Sequence, residues 1–320
     1  MLIGLLPGEG LGPELIGHCQ TALAALGSRF GQQPEQRLGP ALEQGWNRDI
    51  ECFLREILTE GGAVLSGPGG GRYVYDLRRH LRLDYKLNPL RPLQGIGQQD
   101  FDVLVVRHTG GGPFQAREER QADKLKVEYT VELDELRRVA QVADHHAQQR
   151  KGQLAVALKP HGQPGLARLW SEACQGLQSH WTLKECDWVA YHLLKYPQDF
   201  DVIVTPDDIG DILSDLGGLL MGSRGLTYGA SFNREGRGVF QTNHGAAYDL
   251  VGQNRANPVG QLLSLAYLLE ELGHPHWARH LVGAIEQVLK HWRTFDLVAP
   301  AAPFVGTSEW MQRLQQALLA

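Results

Sequence analysis

Little in this chain serves cross-linking, a structural metal or a membrane. Four cysteines, Cys19, Cys52, Cys174 and Cys186, lie far apart with no C-x-x-C pair, which excludes a disulfide framework or zinc site as the first reading and leaves inert, buried thiols. No run reaches the roughly 20 apolar residues that span a bilayer. The opening "MLIGLLPGEGLGPE" also lacks the basic flank and long apolar stretch of a signal peptide, so a cytoplasmic protein without a membrane partner is expected. Lys/Arg clusters are absent outside "DLRRHLR" and the net charge is -5, which argues against a nucleic-acid partner. Repeats and low-complexity runs are missing too. What is present is 320 residues at 42% hydrophobic, enough for one large or two medium cores.

Short β-rich runs ("LIGLL", "DVLVV", "LAVALK", "DVIVT") alternate with amphipathic segments such as "PELIGHCQTALAAL" and "VELDELRRVAQVADHHAQQR", which is α/β wiring. The first helix is expected at Pro13, after glycines at 8, 10 and 12 that let the chain turn out of the opening strand. "GEGLGPE" is not the dinucleotide fingerprint, because its third glycine comes one residue early. A second Pro-started helix follows Asn257-Pro258, and its first-turn amides could receive an anion.

The stretch "DDIGDILSD" follows a buried strand and predicts a helix beginning near Ile209. Asp211 and Asp215 then lie about 5–6 Å apart on one face, where like charges cost a few tenths of a kcal/mol. A solvated acidic helix start would explain them. So would a pair of oxygen ligands for Mg²⁺ or Mn²⁺, and spacing alone favours the former.

Further segments change that balance. In order they are "LPGEGLGPE", "LRRHLRLDYKLNPLRP" (77–92), "FDVLVVRHTGG" (101–111), "LKPHGQPGLARLW" (158–170), "DVIVTPDDIGDILSD" with "GSRGL", "NHGAAYDLVGQNRANP" (243–258), and "RTFDL" with "GT". Together they resemble the β-decarboxylating dehydrogenases: the isopropylmalate, isocitrate, homoisocitrate and tartrate/D-malate dehydrogenase family, most nearly the first. The resemblance runs almost end to end. It implies an isopropylmalate-dehydrogenase-like α/β fold of two domains, residues 1–88 plus 222–320 and residues 89–221, with the active-site cleft between them. An arm at about 112–130 would clasp a second copy in a homodimer with shared active sites.

Carried over to this chain, the resemblance makes Asp211 and Asp215 metal ligands, joined by Asp187 from the other subunit, around Mg²⁺ or Mn²⁺. Lys159 would take the C2 hydroxyl proton across the same interface as hydride leaves for the nicotinamide. Such a lysine needs its pKa lowered from about 10.4. Arg91 and Arg107 match two of the three arginines that grip the malate moiety; Arg78 matches the first, with Arg82 as rival. Arg72 and Tyr73, beside Tyr75 in "GGGRYVYD", fall where the family recognises the third substituent, and suggest a polar, anionic or aromatic group. His244, Gly245 and Ala247 would surround the adenine, and Asn257 would lie near it while capping its own helix. Asp249 would hold the ribose hydroxyls, and so favours NAD over NADP.

The chain departs from the family at telling places. The tyrosine that protonates the enol carbon is missing from "RHTGGGPF", where Pro113 and Phe114 have no proton to give. His161 and His108 are candidate replacements. Gln241 stands where a carboxylate is expected near the nicotinamide. The resemblance therefore implies a dehydrogenase of a 3-substituted (R)-malate, dependent on NAD and a divalent metal, with CO₂ release as the family's second step. The alternatives are a non-decarboxylating or tartrate/D-malate-type enzyme, and a catalytically weakened regulatory paralogue. A small malate-type diacid is the expected partner besides the second subunit.

Overall fold

The four apolar runs become strands, as a fully buried strand requires. The computed structural model describes residues 1–42 and 45–320. In chain order its elements are β1 (Leu2–Leu6), α1 (Gly12–Phe30), β2 (Glu35–Leu38), α2 (Arg48–Thr59), β3 (Ala63–Ser66), α3 (Tyr73–Leu81), β4 (Tyr85–Leu90) and β5 (Val103–His108). There follow β6 (Arg117–Gln121), β7 (Lys124–Glu128), α4 (Leu133–Gln148), β8 (Gln153–Leu158), α5 (Pro164–Ala173), β9 (His180–Glu185) and α6 (Cys186–Lys195). The chain ends with β10 (Val202–Pro206), α7 (Asp207–Met221), β11 (Tyr228–Phe232), β12 (Gly238–Thr242), α8 (Val259–Glu271), α9 (Pro275–Leu289) and α10 (Thr307–Leu319).

Ten strands form one sheet in the order β2-β1-β3-β12-β11-β4-β5-β10-β8-β9. Two parallel blocks, β2-β1-β3-β12 and β5-β10-β8-β9, are joined through antiparallel β11 and β4. The boundary expected at residue 88 falls inside β4. Since β4 runs antiparallel to β5, its first residues, not its last, lie beside the carboxyl end of β5: Tyr85 is opposite His108, Lys86 opposite Arg107, and Leu90 opposite Val103. Ligands of open α/β sheets bind outside carboxyl ends of strands, so this polarity decides which β4 residue can reach such a site.

Helices cover the sheet and bury Trp170, Trp277 and Trp310 completely. The helix start at Pro13 is as expected, with Gly12 and Pro13 opening α1. The helix expected near Ile209 instead begins at Asp207, directly after Pro206. Cys19 and Cys174 are buried, but Cys52 is exposed on α2, contrary to the expectation of uniformly buried thiols. The segment expected to form an arm is a hairpin of β6 and β7, and Leu125, Val127 and Tyr129 stand exposed along it. No described helix is long and apolar enough to cross a membrane.

One polar anchor holds the second parallel block together. Asp144 on α4 accepts hydrogen bonds from Ser179 N (2.8 Å), Gln178 N (3.1 Å) and Gln148 Nε2 (2.8 Å), fixing the turn that leads into β9. Burial works against the Asp144 charge, but these donors outweigh it and hold the carboxyl below the usual aspartate range. A depressed carboxyl stabilises the fold above the unfolded-state pKa, and that contribution is lost as pH falls through the folded-state value. Asp144→Ala is expected to cost about 1–3 kcal/mol at pH 7, the cost of orphaned amides. The gap to wild type in urea unfolding should narrow as the solution is acidified below the ordinary aspartate range; a gap constant with pH would refute this account.

Candidate active site

The carboxyl ends of β5, β8 and β10 deliver Arg107, Lys159 and Asp207 respectively. Arg107 lies flat against α7 because residue 210 is glycine: a Cβ there would come within 2.4 Å of the Arg107 Cγ. Its guanidinium binds Asp207 Oδ1 through Nε at 2.9 Å and through Nη2 at 2.5 Å, and reaches Asp211 Oδ1 through Nη1 at 2.9 Å. Arg78, from the last turn of α3, donates to the other oxygen of Asp207 at 2.7 Å. Arg78, Arg107 and Asp207 are all buried. Burial disfavours the Asp207 charge, yet Arg78 and Arg107 outweigh it and hold the carboxyl below the usual aspartate range. Asp207 lies inside the segment "DVIVTPDDIGDILSD", one turn before Asp211, but nothing in that segment marks it as the partner of two arginines.

Of the rivals for the first arginine, the structure brings Arg78 to this group. Arg82 is exposed and forms the left-handed C-cap of α3. Arg91 is not brought there either: it follows the far end of β4 and pairs with Asp102 at 3.1 Å. The position opposite Arg107 is Lys86, buried on β4. Burial, reinforced by the neighbouring Arg107 and Arg78 charges, pushes the Lys86 ammonium well below the usual lysine range.

Tyr73 is not a surface contact for a substrate. It is buried and its hydroxyl shares a hydrogen bond of 2.7 Å with Ser66, because it opens α3 with its ring on the core side. Tyr75 instead faces the cluster, with the guanidinium carbons of Arg72 and Arg78 each 5.9 Å from its ring centre. Phe114 packs edge-on against Tyr75 at 5.4 Å. His108 is buried, 3.3 Å from Glu135 and edge-on to Trp170, so its side chain belongs to the support of the site.

Asp211 and Asp215 keep 53% and 42% of their side-chain surface exposed. Asp215 pairs with Arg224 at 2.8 Å. Lys159 lies elsewhere on the chain, 2.8 Å from Asp187 and 3.0 Å from Glu185, with His161 on the other oxygen of Glu185. The lowered lysine pKa expected from the sequence is not found in the single chain: the hydrogen bonds that Lys159 donates to Asp187 and Glu185 raise it. Among the described residues no three His, Cys, Asp or Glu side chains gather closely enough to hold a metal. The donor chemistry fits a hard divalent cation, with the single chain presenting Asp211 and Asp215 as one half of a ligand set.

The other parallel block supplies a set of loops. Leu11 N donates to Ala246 O at 2.9 Å and Glu9 N to Pro68 O at 2.8 Å, while Tyr248 Oη and Gly70 N both donate to the Glu9 carboxylate. These contacts fix the loop of residues 243–249 and leave Gly245 and Asp249 exposed. A Cβ at Gly245 would touch nothing within 4 Å. Ala247 holds a left-handed backbone (φ 44°). His244 Nδ1 faces its neighbour's carbonyl at 2.9 Å, and burial lowers its pKa. Asn257 accepts from Val259 N at 3.0 Å and donates to Asp296 at 2.9 Å, so it does cap its helix. The open backbone at Gly245 and the exposed Asp249 carboxylate suit a nucleotide with free ribose hydroxyls. This half adjoins the acidic one through Arg224, which bonds Asp215 and whose charge reaches His244.

A family model described as isocitrate/isopropylmalate dehydrogenase matches residues 2–314. The 3-isopropylmalate dehydrogenase of Synechocystis sp. is 30% identical over 98% of this chain and 96% of its own. That of Gloeobacter violaceus is 31% identical over 95% and 94%. Among solved structures, isocitrate dehydrogenase from Methylococcus capsulatus superposes with a TM-score of 0.88 over 100% of this chain and 99% of its own, at 24% identity. Matched by the family model over nearly its whole length and by relatives at 30–31% identity, the chain belongs to the isocitrate/isopropylmalate dehydrogenase family.

Proposed function

We propose that this protein is an NAD- and divalent-metal-dependent dehydrogenase that oxidises the C2 hydroxyl of a 2-hydroxy acid, in active sites completed by two copies of the chain. The observation that carries this reading is the separation of the catalytic groups. Lys159 and Asp187 form one exposed pair, Asp211 and Asp215 another, and within one chain the two do not assemble a metal site. A second copy is the economical way to unite them.

The surface beside the acids supports this. Ile212 and Leu219, 63% and 70% exposed, form a stripe on α7 with half-buried Leu216, next to Asp211 and Asp215. Trp188 and Tyr191 add exposed aromatic surface on α6, close after Asp187. Apolar residues in a contiguous patch mark an interface. Ile212→Glu with Leu219→Glu is expected to yield a folded monomer by sedimentation, with NADH formation lost along with the dimer; an active monomer would defeat the shared-site reading.

When bound, a divalent cation would polarise the C2 hydroxyl and the nicotinamide would accept hydride. The chain's own residues do the rest. Asp211, Asp215 and Asp187 would hold the cation; Lys159 would take the hydroxyl proton, its pKa brought down once Asp187 is engaged by the metal and the interface buries it. The loop at 243–249 would orient the cofactor through the Gly245 backbone and the Asp249 carboxylate.

A further inference from the structure

Asp207 occupies its two arginines as a bound ligand carboxylate would. Both of its oxygens are taken, one by Arg78 at 2.7 Å and the other by the Arg107 fork at 2.9 and 2.5 Å, and all three residues are buried. Paired guanidinium forks are the usual receptor for a planar carboxylate, and here that receptor is filled by the chain itself. Lys86 differs from its two neighbours. It is 3% exposed, faces Arg107 across the β4–β5 ladder, and its ammonium makes no hydrogen bond among the described residues. Gly229 leaves it room, since a Cβ there would lie 3.2 Å from the Lys86 Cε. Of three cations that could receive carboxylates, Arg107 and Arg78 already hold Asp207, Arg78 through Nη1 alone with its buried Nε unpartnered, and the Lys86 ammonium has no hydrogen-bond partner among the described residues.

From this juxtaposition we infer that the site takes a 2-hydroxy acid bearing a single carboxylate, bound by Lys86, and oxidises it without breaking a carbon–carbon bond. The inference rests on the dehydrogenase reading above and narrows its substrate class. In the step, the C2–H bond breaks and its electron pair passes as hydride to NAD⁺. The hydroxyl proton goes to Lys159, the C2–O bond becomes a carbonyl, and a 2-oxo acid and NADH leave. No enol forms, so no carbon needs protonating. That agrees with the departure in the sequence: Pro113 and Phe114 stand where the resemblance places the family tyrosine, and neither has a proton to give.

The test uses the full dimer with NAD⁺ and Mn²⁺, and reads NADH and CO₂ together. (R)-2-hydroxybutanoate and (R)-2-hydroxy-4-methylpentanoate are compared with (R)-malate and 3-isopropylmalate. NADH from the monocarboxylates, without CO₂, is expected; equal NADH and CO₂ from either diacid in the wild type would overturn the inference while upholding the dehydrogenase reading. Asp207→Asn frees the arginine pair, and should raise the diacid to monoacid ratio of kcat/KM by about 10- to 100-fold, the worth of one or two charge-assisted hydrogen bonds. If no acid reduces NAD⁺, the dehydrogenase reading fails, and calorimetry with malonate still decides the occupancy of the arginines: binding gained in Asp207→Asn supports it, and equal binding in both proteins overturns it. Should Asp207→Asn not fold, Lys86→Met serves instead, with a raised KM for monocarboxylates expected and an unchanged KM overturning the assignment.

Discussion

Mixing inactive Lys159→Met protein with inactive Asp211→Asn protein is expected to restore NADH formation. Each variant alone should lose about 10²–10⁴-fold in kcat, the usual contribution of a positioned proton acceptor or its partner charge. Neither should unfold, because Lys159 keeps 46% and Asp211 53% of its side-chain surface in solvent. In a mixed dimer, one site draws an intact Lys159 from one chain and an intact Asp211 from the other, while the second site carries both lesions. After subunits exchange at random, about half the dimers are mixed and one of their two sites works, so recovery should approach about a quarter of wild-type activity. If each chain instead carried a complete site, every site in the mixture would hold one lesion and nothing would return. The experiment therefore reads the architecture directly, whatever acid is used to assay it. Sedimentation on the same mixture separates failed exchange from failed complementation.

The sequence exposed the parallel strands well because burial on both faces leaves a continuous apolar run, as in β5 and β10. Lys159 and Asp211 were legible as site candidates through the resemblance of their segments to the family. Arg91 shows where string matching stops. "NPLRP" carries the right local pattern, but the residue that a strand brings to a site depends on the polarity of its neighbour. Antiparallel pairing turns the start of β4 toward Arg107, so Lys86 arrives there and Arg91 meets Asp102. Tyr73 and Tyr75 illustrate the same limit on a helix, where two positions round the axis separate a core residue bonded to Ser66 from one stacked by Arg78. A helix expected from Ile209 leaves Asp207 outside it, and nothing in the string shows that a first-turn acid has both its oxygens on arginines.

Arg107→Met and Lys86→Met, two changes side by side on one ladder, should move stability in opposite directions. Arg107 satisfies Asp207 and reaches Asp211, and removing its guanidinium strands Asp207 in the interior with Arg78 alone. Breaking a buried ion pair on one side costs about 3–5 kcal/mol, since the remaining charge cannot return to water. For a chain of 320 residues that corresponds to a fall in Tm of roughly 4–8 °C. A cycle with Asp207→Asn should show coupling of about 0.5–3 kcal/mol between the two sites. Lys86 has no such hydrogen-bond partner among the described residues, and the Arg107 and Arg78 charges beside it outweigh those of Asp211 and Asp207. An ammonium held there pays desolvation without an internal bond to offset it, so an apolar chain of similar length should leave Tm unchanged or raise it. The same substitution should weaken substrate binding, the trade expected where a costly charge is kept for a ligand. A Lys86→Met protein that is clearly less stable than wild type would mean that Lys86 holds the fold together instead, and would remove the ammonium on which a carboxylate substrate depends.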